Sequence, residues 1–245
     1  MKKHAALLLV LVMVLVFTVG CGGGSSENGP SGEGDATEAI ELICAHGYPA
    51  VSDEQKWLAW MADELDKRTD GGLTMKVYSD GTLGSEMEVC AQILAGAIDI
   101  GLSEGSAWAD ATNVPALSVF GLPYLYNDLD GMKNAGLTVV PEAFQTLLEE
   151  NNVNLQGFVP FSGGLRNVWT VSKPIRTVSD FAGMKMRVPE IKLFADTMRG
   201  LGANPTPVAW TELFTALGQG VVDGLEIDPA TGVANNLHEV TKYYT

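Results

Sequence analysis

Arg187 ends the run Gly183-Met184-Lys185-Met186-Arg187 and is followed by Val188-Pro189. An arginine carries a planar fork of N–H donors that meets a carboxylate with two parallel hydrogen bonds. Val188 precedes a proline and is therefore extended, so Arg187 stands at the end of a strand that stops at once. Alternation puts Met184, Met186 and Val188 on one strand face and Lys185 and Arg187 on the other. Ligands of open α/β sheets bind beyond the carboxyl ends of the strands, which makes this a suitable seat for a small organic anion. From spacing alone, a solvated surface arginine is the commoner outcome. The same holds for Arg166, which follows Ser162-Gly163-Gly164, where glycines let backbone approach a ligand closely. Trp210 opens a helical segment after Pro205-Thr206-Pro207, at helical spacing with Leu213, Phe214 and Leu217. That pattern is more often core than a ligand platform, although aromatics near a strand end also line clefts.

A rival chemistry is written in Gly101-Leu102-Ser103-Glu104-Gly105, which matches the G-x-S-x-G nucleophile elbow of serine hydrolases. It follows a strand, and Asp223 or Asp228 and then His238 come later in a plausible triad order. An elbow needs a helix directly after it, and the stretch Ala109-Asp110-Ala111-Thr112-Asn113-Val114-Pro115 is a poor start for a long one. No glycine cluster of the oxyanion type follows His46. No His, Cys and carboxylate grouping has metal-ligand spacing, and neither phosphate-binding glycine motif is present.

These residues need a scaffold. Ile40-Glu41-Leu42-Ile43-Cys44-Ala45 reads as a strand that leads to the loop His46-Gly47-Tyr48-Pro49. A helix from Ser52 to Arg68 follows, with Trp57, Trp60, Met61 and Leu65 on one face. Leu73 to Tyr78 alternates as a half-buried strand. Ser85 caps a helix that carries Met87, Cys90, Ala91 and Leu94 and ends at Gly96. Ala97 to Leu102 reads as a short strand, Pro141 to Glu150 as a helix with Phe144, Leu147 and Leu148 inward. Leu155 to Val159 and Leu165 to Val171 read as strands, and Val240 to Thr245 as a last one. Strand and helix alternate, which favours an α/β fold with mainly parallel strands.

The first residues stand apart. Lys2, Lys3 and His4 precede an apolar run from Ala5 to Val19 that ends at Thr18-Val19-Gly20-Cys21. The pattern is that of a secretory signal, too short and wrongly flanked for a stable membrane span. Cys21 after a small residue looks like a bacterial lipobox, whose cysteine is acylated; stable anchoring then needs more than one acyl chain. Residues 1–21 are thus expected to be a lipoprotein signal and 22–38 a flexible Gly/Ser linker. A folded unit spans 39–245. The net charge is −15, which argues against nucleic acid and anionic membrane surfaces as partners. An anionic ligand must then be caught by local positive charge. Cys44 and Cys90 read as buried free thiols rather than as a disulfide.

From about Ile40 to Thr245 the chain resembles the solute-binding proteins of TRAP transporters, of the C4-dicarboxylate-binding type. The motifs that carry the resemblance are Thr69-Asp70-Gly71-Gly72, Leu83-Gly84-Ser85-Glu86, Gly96-Ala97-Ile98-Asp99-Ile100 and Gly121-Leu122-Pro123-Tyr124-Leu125. Phe181 to Pro189, Leu201 to Pro207 and Thr215 to Glu226 complete the ordered set. The resemblance implies a periplasmic-binding-protein-like α/β fold of two lobes with crossing strands and a hinge. Lobe 1 covers about 39–160 and lobe 2 about 161–228, with a return toward lobe 1 after 228. It further implies that Arg187 is the selectivity arginine that pairs with the solute carboxylate, that Arg166 assists it, and that Trp210 packs on the solute. Glu104 falls in a loop where some members place a polar contact. Where the family usually has Asn, this chain has Ile227, followed by Asp228, which is a candidate for polar contact with the solute. Family chains continue by roughly a hundred residues beyond this point, so the chain reads as C-terminally truncated.

The expected function is capture of a small carboxylate-bearing organic acid outside the cytoplasm and its delivery to a TRAP membrane permease. The membrane is expected to hold the protein through lipid on Cys21; no cofactor, metal or nucleic acid is expected, nor enzymatic activity. Two other classes stay open: a sensory module that presents the bound solute to a receptor, and a secreted serine hydrolase that uses Ser103.

Overall fold

The computed structural model describes residues 39–156 and 164–245. The expected signal, Cys21 and the linker 22–38 lie outside them. So do the end of the expected Leu155-to-Val159 strand and the Ser162-Gly163 pair.

Strands β1 (Ile40–Ala45), β2 (Leu73–Tyr78) and β3 (Ile100–Gly101) form a three-stranded sheet in the order β2-β1-β3, parallel throughout. Helix α1 (Asp53–Arg68) crosses between β1 and β2, and α2 (Glu86–Leu94) between β2 and β3. Ser52 caps α1 by accepting from the Gln55 amide. Ser85 and Glu88 make a reciprocal capping box on α2, which satisfies amides that a helix start otherwise leaves unpaired. Leu58 turns inward to Cys44 and Met75. Trp60, expected on the buried face of α1, is instead exposed. The apolar stripe is narrower than the sequence pattern implied, and the sheet below it is small.

Helices α3 (Gly105–Thr112), α4 (Leu129–Leu137) and α5 (Val139–Glu150) come next, with a 3-10 turn over Pro115–Gly121 between the first two. Phe144 and Leu148 of α5 pack on Ala109 and Leu117. Helix α3 starts at Gly105 itself and has 8 residues; it ends at Asn113 in a left-handed cap, so no long helix runs on through Ala109 to Pro115.

The second sheet holds β4 (Asn167–Thr170), β5 (Lys185–Val188), β6 (Asn204–Pro207), β7 (Gly224–Ile227) and β8 (Tyr243–Tyr244), in the order β6-β5-β7-β4-β8. β5 is parallel to β6 and β7, while β4 is antiparallel to β7 and β8. Helix α6 (Lys192–Gly200) links β5 to β6, and α7 (Leu213–Gly218) links β6 to β7. Phe194 and Met198 of α6 cover Met184, Met186 and Val188. Leu213 and Leu217 of α7 pack with Val222, Leu225 and Leu237. Both faces of the central strands are therefore covered, and full burial of each such side chain contributes about 1.5–3 kcal/mol. Gly224 must be glycine, because a Cβ there would come within 2.4 Å of the Trp169 carbonyl oxygen.

After Asp228 the chain stays with this second sheet. Helix α8 (Pro229–Ala234) lays Gly232 against the Trp169 ring, Leu237 joins the core under α7, and β8 pairs with β4. Asn235 and Leu237 also line a cavity together with Gly47, Pro49 and Asp80, which come from the loops after β1 and β2. An edge of β4 is open to Tyr243–Tyr244, and Trp169 meets Tyr244 edge-on with ring centroids 5.0 Å apart.

Candidate functional site

Every parallel strand next to the cleft ends toward it. Tyr48 follows β1, Glu104 follows β3, Arg187 is the penultimate residue of β5 and Pro189 follows it, Trp210 follows β6, and Ile227 ends β7; all of them line one cavity. Arg166 joins them because β4 runs antiparallel to β7, which places Asn167 in register with Ile227. Glu86, the first residue of α2, also lines the cavity.

Arg187 is only 4% exposed. The alternation that put it on the polar face of its strand is real, but that face is itself covered: Arg187 is in register with Leu225, which packs under α7. Its Nε donates to the Val208 carbonyl at 3.0 Å, and its guanidinium lies 5.5 Å from the centroid of the Trp210 ring. Among the described residues it forms no ion pair. Burial, and after it the charge of Arg166, bring its pKa down to about 10, against Glu226, Glu86 and Glu190, which act in the other direction. It is charged at neutral pH and held in a place that disfavours the charge.

Arg166 is differently placed. Its Nε and Nη2 both donate to the Glu226 carboxylate, Nη2 at 3.0 Å, and Nη2 also donates to the Glu226 carbonyl at 3.1 Å. Its Nη1 donates to Glu104 at 3.3 Å, and the ring of Phe194 lies 4.9 Å from the guanidinium carbon. Burial acts against its charge, but Glu226, Glu104 and Tyr48 more than offset that and raise its pKa.

Glu104 lines the cleft as a candidate the sequence offered, whereas its acidic neighbour Glu86 was not singled out. Glu86 accepts from the Glu104 amide, and burial and then the Glu104 charge push its carboxyl up to about 7, while that amide, Arg187 and Arg166 oppose the shift. Tyr48 is raised by burial first and then by Glu104, Glu86 and Glu54. Its amide donates to His46 Nδ1 at 3.2 Å, and His46 Nε2 meets Gln55 of α1 at 2.8 Å. Tyr48 was legible as a loop residue beyond a strand end; Glu86 read only as an acid beside a helix cap.

Asp228 is not among the residues that line the cavity. It is buried, and its carboxylate caps α8 by accepting from the Thr231 amide at 2.8 Å. A proline directly after it favours that geometry. Asp228 therefore positions β7 and α8 rather than reaching the cleft. The residues of the rival triad are not assembled. Ser103 is hydrogen-bonded to the Cys90 thiol, Asp223 accepts from the Lys185 amide, and His238 is exposed in the turn Leu237–Glu239. Among the described residues no group of His, Cys, Asp and Glu is arranged to hold a metal ion. Cys44 and Cys90 are buried and unpaired.

A cleft at the carboxyl ends of two sheets, lined by a buried arginine that no carboxylate engages among the described residues, is the arrangement of a two-lobed binding fold. Comparison with known proteins narrows the class: residues 44–245 match the model of bacterial extracellular solute-binding protein family 7, and the chain belongs to that family. A solute-binding protein of Roseobacter denitrificans is 35% identical over 213 residues, which are 85% of this chain and 63% of that protein. A TRAP periplasmic solute-binding protein of Pseudomonas putida F1, solved with bound D-glucuronate, is 30% identical with a TM-score of 0.78, over 84% of this chain and 66% of that one. Another, from a Polaromonas species and bound to D-erythronate, is 25% identical with a TM-score of 0.77, again over 84% and 66%. The chain thus spans about two thirds or less of the length of these relatives.

Proposed function

We propose that this protein captures a small organic acid by its carboxylate and delivers it to a TRAP-type membrane permease. The observation that carries the proposal is Arg187: a guanidinium with 4% exposure, no ion pair among the described residues, and a place in the lining of the cleft. A buried charge without a partner is costly, and a solute carboxylate supplies the partner. Trp210 walls the seat. Arg166 stands beside it and fixes Glu104 and Glu226, so that its support of the solute is electrostatic and structural. Glu104 accepts from donors on the solute. Binding shifts the protein toward its closed form by as much as the solute prefers that form. The solutes of the similar solved proteins, D-glucuronate and D-erythronate, are the first candidates. In this reading Cys21 carries the lipid that keeps the protein at the outer face of the cell membrane, and the protein binds its solute without chemical change.

The test is isothermal titration calorimetry of a panel of sugar acids and simple organic acids, repeated with Arg187→Ala. Charge-assisted hydrogen bonds contribute about 1.5–3 kcal/mol each, so the substitution is expected to weaken binding by about 100-fold. Equal affinity of the best acid for both proteins would overturn the carboxylate seat.

A further inference from the structure

The charges around the cleft do not balance. Two arginines line it, and one of them, Arg166, is already engaged by Glu226 and Glu104. Arg187 is the other, 4% exposed and free of any carboxylate among the described residues. The acidic side chains of the lining are Glu86, Glu104 and, at the exposed rim, Glu190. Glu86 has one oxygen on the Glu104 amide; no hydrogen bond reaches the other among the described residues. The cleft therefore offers one seat for an anion and several acceptors for hydroxyl groups. A second carboxylate placed here meets like charge, and like charges at short range in a partly buried site repel more strongly than they do in water.

We propose that Glu86, supported by Glu104, makes this cleft select acids with a single carboxylate and hydroxyl donors, and that Glu86 rejects the corresponding dicarboxylates. This rests on the reading of Arg187 as the carboxylate seat. Ile227 fits the same selection: it ends β7 in the cleft lining and presents a hydrocarbon side chain, with no donor for a second carboxylate. Hydroxyl groups are good partners for the free acceptors of Glu86 and Glu104, because a donor that finds a charged acceptor gains more than a neutral pair does. The discrimination also depends on pH. Glu86 faces Glu104 from the start of α3, Tyr48 from the loop after β1, Arg166 from before β4, and Arg187 from β5, with Glu190 at the rim. The net result, a carboxyl that titrates at about 7, means that acidification removes the repelling charge near neutrality.

The experiment compares matched pairs on the full chain by calorimetry: D-erythronate with meso-tartrate, D-gluconate with D-glucarate, and D-glucuronate with D-glucarate. In the first two pairs a terminal hydroxymethyl group is replaced by a carboxylate; in the third the ring-closing carbon is, so that pair also compares a ring with an open chain. At pH 8.5 the tightest monocarboxylate is expected to bind at least 10-fold more tightly than its diacid. At pH 5.5 the ratio should fall several-fold. Glu86→Gln keeps an oxygen for the Glu104 amide but no charge; it should lower the ratio at pH 8.5 and flatten its pH dependence. Glu104→Gln is a second variant with a smaller expected change. A diacid that binds as tightly as its partner, or a ratio that Glu86→Gln and pH both leave unchanged, overturns the selection by Glu86 while the Arg187 seat stands. If no acid of either kind binds the wild-type protein, the carboxylate reading itself falls, and this inference with it.

Discussion

The two sheets furnish the cleft with opposite chemistry. The five-stranded sheet contributes Arg166, Arg187 and Trp210, while the three-stranded sheet and its helices contribute Tyr48, Glu86 and Glu104. On the first side charge is set in a rigid frame: Arg187 lies between Met186 and Val188, neither of which has measurable exposure. On the second side the acids hang from a loop and two helix starts. The contrast repeats at smaller scale between the two arginines. Among the described residues Arg166 is paired with two carboxylates and Arg187 with none, its one bond going to the Val208 carbonyl. A protein arginine that is fully paired contributes to structure; one left unpaired in a covered position is available to a solute.

Substitutions can sharpen this contrast or break it. The largest effect is expected at Arg187, where alanine should weaken acid binding by about 100-fold with little loss of folding stability, since it removes an unpaired buried charge. Lysine there should recover only part of the affinity, because a point charge replaces a planar fork. Arg166→Ala should do the reverse. It leaves Glu226 uncompensated in a half-buried place and should lower stability by about 2 kcal/mol, read as the midpoint of urea unfolding. Glu226→Gln in the same chain should restore much of the loss. If Arg166→Ala costs affinity alone, the division of roles between the arginines is wrong.

A further test uses pH. The Glu86 carboxyl holds its proton in the folded protein up to about 7, above the usual 4.5 of an unfolded chain. Between those values the unfolded state has released a proton that the folded state retains. Stability from this group is therefore greatest at the acid end of the window and falls as pH rises through it. The contribution should amount to about 2 kcal/mol, measured as the difference between wild type and Glu86→Gln in urea unfolding at pH 5 and pH 8. The smallest effect is expected for Ser85→Ala, which removes one side of the capping box at the start of α2. A cost of about 1 kcal/mol with a modest loss of affinity would mark the cap as the support of Glu86; unchanged affinity would show that the Glu104 amide alone positions it.

Much of this arrangement could be read from local pattern. The strand from Ile40 to Ala45, the cap at Ser85 and the strand end at Val188-Pro189 depend on neighbours within a few residues, and each is where the sequence put it. Arg187 and Trp210 were legible as strand-end residues. The burial of Arg187 was not, since alternation reports two strand faces but not that helices cover both. Glu86 and Glu104 are 18 positions apart, and their hydrogen bond exists only because β3 brings the start of α3 beside the start of α2. Asp228 had the composition of a ligand contact and the position of a helix cap. Its neighbour Pro229 was the clue that the cap would win.

Ile227 has one more consequence. Its carbonyl accepts the Trp169 indole N–H at 3.2 Å, and its buried side chain packs in the same cluster as Trp169, Leu213 and Leu225 while also reaching the cleft lining. Structural duty and solute contact thus fall on one side chain. Drift at this position changes what the protein carries only within the shapes that the core beneath it accepts, and a designer who wishes to retarget it must exchange the side chain for one of similar volume.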